Sequence, residues 1–265
     1  MADFAVFTLT QNEKFFLPIW LRYYVPQFGP EHVYVLDHRS EGDALASLLD
    51  LQRGYGFQYL RLEYPISFDD RWLTKTACHF QRFLLESYRY VLFCGVDEIV
   101  APSPALAPTL RDYLSDLQPS LAPRRCYGVE VVEHHEPPLS LDAPILLQRR
   151  WGYHCMRYSK PALASVPVLW QPGFSSAVNV PRDPSAILPD LWLFHLHRAD
   201  FDVCLERHRE REQRPWVEGA RFRPPYFQNV IVEPDRLRAW FGWHADDTRQ
   251  YAQLEMLPEW SKGIV

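Results

Sequence analysis

The chain has 265 residues, with 28 basic and 33 acidic side chains and a formal net charge of −5. Hydrophobic residues make up 47% and charged ones 23%, the balance of a globular chain with a sizeable core rather than a disordered one. The mild acidity excludes a bulk nucleic-acid binder, no window reaches the ~18 unbroken apolar residues of a membrane span, and no secretory signal pattern is expected.

Ala5 to Thr10 is a short apolar run entering the polar Gln11-Asn12-Glu13. Phe15 to Tyr24 is expected to be helical. Val33 to Leu36 is apolar on both alternating faces, as in a strand covered on both sides, and the polar loop 37–43 follows it. Ala44 to Gln52 reads as a helix stopping at Arg53-Gly54, and Phe57 to Leu62 as a third strand. Trp72 to Tyr88 is long enough for a helix, and Tyr90 to Cys94 is a fourth, wholly apolar strand. This alternation predicts an α/β fold, a mixed, mostly parallel sheet with helices on both faces. Ligands of such sheets collect beyond the carboxyl ends of the strands, where the polar clusters 11–13, 37–43 and 95–98 fall.

The pattern changes after Val100. Residues 101–108 read as a proline-rich turn and Arg111 to Leu117 as a short helix. Cys126 to Val132 and Leu191 to Leu196 read as strands separated by irregular chain. Asp200 to Glu212 is a charged helix ended by Pro215, its charges read as a solvated face. The five cysteines (Cys78, Cys94, Cys126, Cys155, Cys204) are odd in number, without a C-x-x-C pair, and fit free thiols in a reducing cytoplasm.

Chemistry concentrates in two stretches. In YVLFCGVDEIV a buried strand runs into Asp97-Glu98, two carboxylates that either bind a hard divalent cation or form an acidic turn. In LWLFHLHRADFD, His195 and His197 are two apart on a strand and share a face, as metal ligands, phosphate donors or structural histidines. His134 and His135 add imidazoles that would point apart, and with 195 and 197 they offer a zinc site in principle. Glu130 and Glu133 are candidate bases. Lys160 is one of only four lysines, a point charge for a phosphate or a surface side chain. No dinucleotide fingerprint, P-loop or nucleophile elbow occurs.

The order FTLTQNEKFFLPIWLRYY, VYVLDHRSEGD, YVLFCGVDEIVAP, SKPAL and FHLHRADFD resembles the bacterial family 2-like glycosyltransferases of the GT-A fold, in the branch related to family 92. The resemblance runs from about residue 4 to 210. It implies a GT-A-like domain over 1–265, with a nucleotide-binding half (1–100), an acceptor and metal-completing half (101–214) and a C-terminal helical extension (215–265). It also implies transfer of a sugar, by an inverting hexosyl route, from a nucleotide-diphosphate sugar to an acceptor hydroxyl. Asn12, Glu13 and Asp37 carry over as donor contacts. Asp97, with Glu98 alongside, carries over as the holder of Mn2+ or Mg2+ on the diphosphate, completed by His197 or His195. Lys160 and Arg198 would neutralise the diphosphate. Asp190, Glu130 and Glu133 are the candidate catalytic bases.

Gly95 stands where the family has the first Asp of its Asp-x-Asp motif. That departure motivates a second reading, a GT-A-fold protein that binds nucleotide sugar or glycan without transfer. A zinc hydrolase on the four histidines is a third. The expected setting is the bacterial cytoplasm, in surface polysaccharide or glycoconjugate synthesis. A glycan or lipid-linked glycan would be the acceptor, with at most peripheral membrane association and no nucleic acid. Trp216, Trp240, Trp243 and Trp260 are read as packing or an acceptor platform.

Overall fold

A computed structural model describes residues 2–120, 122–180, 186–218, 229–241 and 254–265. The first half alternates as the sequence predicts: β1 (Ala2–Thr10), α1 (Phe16–Phe28), β2 (Val33–Asp37), α2 (Gly42–Tyr55), β3 (Gln58–Arg61), α3 (Asp70–Leu85) and β4 (Tyr88–Phe93). These strands form a parallel sheet in the order β3-β2-β1-β4, with the two-residue β8 (Leu163–Ala164) antiparallel on β4. Alternation along β1 explains why both faces are apolar. Phe4 and Val6 pack with Leu17 and Leu21 of α1 and Leu48 of α2, whereas Ala5 and Phe7 pack with Ala77 and Leu84 of α3. Each large side chain so buried contributes about 1.5–3 kcal/mol. The α/β class with helices on both faces of a mostly parallel sheet is the one observed.

Boundaries shift where local chemistry decides. Helix α2 runs through Gly54 and ends at Gly56, whose φ of 74° only glycine adopts easily and whose N–H donates to the Gln52 carbonyl. Helix α3 stops at Leu85, short of the expected Tyr88, because Tyr88 already pairs with β1. Its start is fixed by Asp69, which accepts hydrogen bonds from the Arg71 and Trp72 amides.

A second sheet holds β5 (Glu98–Pro102), β6 (Arg125–Val132), β7 (Trp151–His154), β9 (Ile187–Arg198) and β10 (Glu255–Met256), in the order β10-β7-β6-β9-β5. Only β6 and β9 run parallel in it. Residues 101–102, expected in a turn, belong to β5 instead. An edge strand tolerates Pro102 because one side of it needs no N–H donor. The turn 94–97 carries the chain from β4 directly into β5, so Asp97 and Glu98 sit on the seam between the sheets.

Beyond β5 come the helices α4 (Leu110–Asp116), the short α5 (Ile145–Gln148), α6 (Phe201–Glu212) and α7 (Pro234–Phe241). Asp200 caps α6, accepting from the Asp202 and Val203 amides while holding the buried Arg149 at 3.2 Å. The last segment is not helical throughout. Residues 255–256 pair with β7, and Trp260 packs on Trp192 and Phe194 as core. Trp243 lies outside the described residues. No helix among the described residues is long and apolar enough to cross a membrane.

One glycine is required by a close approach. A Cβ on Gly128 of β6 would overlap the Tyr158 carbonyl carbon and the Ser159 amide nitrogen. The Gly128 N–H donates to Ser159 Oγ at 3.0 Å, which fixes the 155–160 turn against the strand.

Candidate functional site

The chain leaves β1 toward β2 and β3, then crosses back to place β4 on the other side of β1. The carboxyl ends of β1 and β4 therefore splay their following turns apart, the arrangement in which open α/β sheets take ligands. Residues 10–13 leave one strand there and residues 95–98 the other. The end of β9 and one side of α6 close the third wall. The resulting cleft has a volume of about 620 Å³, and among its lining residues are seven basic and five acidic side chains, in a chain of negative net charge.

Helix α6 supplies most of that positive charge. Arg207, Arg211 and, just past its end, Arg214 are spaced four and three apart, so they share one helical side, which faces the cleft. The solvated face expected of this helix is thus only its other side. Arg207 is gripped by two carboxylates, Glu13 through Nε and Asp97 through Nη1, each at 2.8 Å. Burial disfavours its charge, but Glu13 and Asp97 outweigh this and raise its pKa further. Among the described residues, no carboxylate pairs with Arg211 or Arg214 in this way. Burial first, and repulsion within the cluster second, pull them down to about 10 and about 9. Arg211 Nη1 and Arg214 Nε are buried without a hydrogen-bond partner among the described residues. An anion entering here would relieve both defects.

The carboxylates are already engaged. Burial alone would raise the pKa of Asp97, but Arg207, with His197 and His195, holds it well below the usual carboxylate range. Glu98 accepts from Lys160 Nζ at 2.6 Å and from the Gly95 N–H. Gly95 is explained by this fold-back. A Cβ there would lie 2.9 Å from Asp97 Oδ1 and 3.3 Å from Glu98 Oε2 and would push the pair aside. His195 lies between Glu98 and Glu130 of the neighbouring strands and bonds Glu130 at 3.0 Å through Nδ1. Burial disfavours its charged form, yet Glu130 prevails and raises its pKa.

The expected Mn2+ or Mg2+ does not fit this donor set. Arg207 Nη1 stands 2.8 Å from Asp97 Oδ2 and 3.1 Å from His197 Nδ1, in the place a cation shared by them would take. Lys160 holds Glu98, Glu130 holds His195, and fixed cations do the neutralising that a hard metal would do through oxygen ligands.

The other sequence candidates divide. Asn12, Glu13, Lys160 and Arg198 line the cleft, with Arg198 stacked 3.9 Å over the Trp240 ring. Asn12 adopts φ 52° and ties the two loops, its N–H bonding Ser40 Oγ and its Oδ1 accepting from Glu41 N. Asp37 does not face the cleft. It is fully buried, accepting from Ser40, Tyr59 and Arg61, and so shapes the loop. Asp190 lies seven residues before His197 on β9, roughly 23 Å away along an extended strand. Glu133 is committed to the Phe201 amide at 2.7 Å, and Glu130 stands behind His195. His134 packs on His135 and on Trp151, and neither histidine lines the cleft, so the four histidines do not converge.

Sequence reasoning missed Arg207, Arg211, Arg214, His38 and Phe68, all lining the cleft, where Trp216 and Trp240, read as packing or an acceptor platform, join them. The i, i+4, i+7 arginine spacing was the signal for the first three. Phe68 and Trp216 pack at 4.8 Å, with Arg214 5.2 Å from the Phe68 ring centre. Thr10 Oγ1, Gln11 Oε1 and His38 Nδ1, at the ends of β1 and β2, are buried polar atoms without partners among the described residues.

Burial, partly offset by the bond to the Pro65 carbonyl, lowers the His38 pKa below its ordinary 6.5. A depressed folded-state value means that the unfolded chain takes up the proton first as pH falls below 6.5. This part of the stability is complete above 6.5 and declines as pH falls toward the folded value. Denaturant titrations from pH 7.5 to 5 are expected to show a shallower decline in His38→Gln than in the wild type, and parallel curves would refute the assignment.

No protein-family model matches the chain, and no curated protein matches it in sequence. Among solved structures, S. aureus TarS aligns with TM-score 0.38 at 12% identity, over 90% of this chain and 42% of TarS. A TarS 1-349 structure in complex with UDP-GlcNAc aligns with TM-score 0.33 at 12% identity, over 86% of this chain and 70% of that one. A putative glucose-1-phosphate thymidylyltransferase from Bacillus anthracis, in complex with a sucrose, gives 0.32 at 9% identity, over 90% and 82%. The chain thus spans less than half the length of the longest TarS structure, and likeness this loose decides neither family nor activity.

Proposed function

We propose that this chain is a GT-A-type glycosyltransferase that moves a sugar from a nucleotide-diphosphate donor to an acceptor hydroxyl. The observation that carries the reading is the arginine side of α6, facing Lys160 across a cleft at the sheet's switch point. Arg211, Arg214 and Lys160 would take the diphosphate, whose charge grows as the bond to the sugar breaks. The unpartnered Thr10, Gln11 and His38 atoms suit the polar edge of a nucleoside, with Phe68 as an apolar wall. The acceptor, a glycan or lipid-linked glycan in the bacterial cytoplasm, enters at the mouth. For inverting hexosyl transfer, Glu206 and Glu210, which line the cleft, become the candidate proton acceptors in place of Asp190, Glu130 and Glu133, which do not line it.

The same cleft supports a second reading, binding without transfer, favoured by Gly95 and by the cations already seated on both carboxylates. Thermal unfolding with UDP, GDP, dTDP or CMP, without added Mn2+, tests what the two share. A nucleotide at a hundredfold excess over its Kd stabilises by about 2.7 kcal/mol. One nucleoside diphosphate is expected to raise Tm without metal, and no shift with any would overturn both readings. Release of sugar from the matching donor then separates transfer from binding.

A further inference from the structure

His197 turns its Nδ1 toward Asp97 and Arg207, and its Nε2 the other way, into the interior. There it meets two residues of α6, Cys204 and His208, one helical turn apart on the same side. All three are buried. His197 Nε2 lies 3.1 Å from His208 Nε2 and 3.8 Å from Cys204 Sγ, and Cys204 Sγ lies 3.6 Å from His208 Nε2. With metal–nitrogen bonds of 2.0–2.1 Å and a metal–sulfur bond of 2.3 Å, a tetrahedral zinc site has edges of about 3.4 Å between nitrogens and about 3.6 Å between nitrogen and sulfur. The three measured separations lie within a few tenths of those edges.

The surroundings fit as well. His208 Nδ1 lies 3.1 Å from the Ile231 carbonyl, a group that can only accept. The ring proton is therefore on Nδ1, and Nε2 presents its lone pair to the cluster. The outer nitrogen of His197 lies 3.1 Å from Arg207 Nη1 and 3.5 Å from the Asp97 carboxylate; with a metal on Nε2 the ring proton would sit on Nδ1, where Asp97 is the group able to accept it. Two imidazoles and a thiol are a borderline-to-soft donor set, unlike the oxygen-rich set a magnesium ion requires.

We propose that His197, Cys204 and His208 form a zinc site that fastens α6 to the end of β9. Three protein ligands leave the fourth tetrahedral position to a water or added ligand. On binding, the Cys204 thiol releases its proton to solvent and coordinates as thiolate. The site lies beside the cleft but does not depend on the glycosyltransferase reading. By tying Cys204 and His208 to the strand it would fix the rotation of α6 and hence the aim of Arg207 and Arg211.

The test uses the full 265-residue chain, untagged, incubated with equimolar zinc, passed through gel filtration and assayed for metal. About one zinc per chain is expected in the wild type, with loss to background in Cys204→Ser and His208→Gln. Because either variant could misfold, the wild type is also loaded with Co2+. A thiolate-to-cobalt charge-transfer band, bleached by added zinc, supports the site whatever the variants do. A folded wild type that retains no zinc, or a cobalt complex without that band, overturns the proposal and leaves a hydrogen-bonded imidazole pair.

Discussion

Arg207→Met is expected to lower stability and, under the proposed function, to weaken sugar transfer, because the same guanidinium holds Glu13 and Asp97 in the wall beside the arginines proposed for the diphosphate. Glu13, Arg207 and Asp97 have side chains only 7, 11 and 13% exposed, so solvent cannot replace the lost partner. Breaking a buried ion pair from one side costs about 3–5 kcal/mol, which at about 2–4 °C per kcal/mol corresponds to a Tm fall of roughly 10 °C. Under that proposal transfer should drop ~10²-fold, the scale of displacing neighbouring donor-site groups by about 1 Å. The double variant Arg207→Met with Asp97→Asn separates the effects. Removing the stranded carboxylate should restore part of the stability without restoring transfer. Additive losses in that cycle would show that the pair is not coupled, and undiminished transfer in the single variant would show that Arg207 does not position the proposed donor site.

Gly128→Ala is the second large effect, and it is purely steric. The new methyl group would meet backbone atoms of Tyr158 and Ser159, including the Tyr158 oxygen at 2.6 Å, rather than a side chain that can swing away. Strand β6 would have to part from the 155–160 turn, at a cost of ~3 kcal/mol or more. Gly54→Ala is the control. It lies inside α2 with nothing within 4 Å of the added carbon, and alanine there should stabilise by about 0.4–1 kcal/mol. Urea titrations of both variants decide the matter. Equal midpoints would contradict the packing described for Gly128.

The first sheet was legible because β1, β2 and β4 are buried on both faces and write nearly continuous apolar runs between polar turns, with the half-buried edge strand β3 following a helix stop. The second was not. Strand β7 is four residues long, and β5 contains Ala101 and Pro102, so neither shows a period of its own. Their pairing comes from neighbours remote in sequence. The site was half legible for the same reason. Asp97, Glu98, His195 and His197 stand at strand ends, where their polarity contrasts with the apolar run. The α6 arginines are hidden among glutamates on a helix whose two sides differ only in what they face. Asp37 shows the opposite error. A strand-end carboxylate looks like a ligand until its acceptor capacity is found filled by Ser40, Tyr59 and Arg61.

Strand β9 has a consequence for motion. Leu193, Phe194 and Leu196 are fully buried in a strand flanked on both sides by partners, and His195 and His197 alternate with Phe194 and Leu196. Amide protons of such a segment exchange with deuterium only when the whole domain opens, whereas those of edge strands and loop turns exchange through local fraying. The imidazoles thus ride on a central, buried strand expected to open slowly. The loops at 11–13 and 37–43 belong to a faster class. Ligand entry can therefore rearrange one wall of the cleft while the histidine wall keeps its register, and deuterium uptake at 193–197 should stay unchanged by any nucleotide that slows uptake at 11–13.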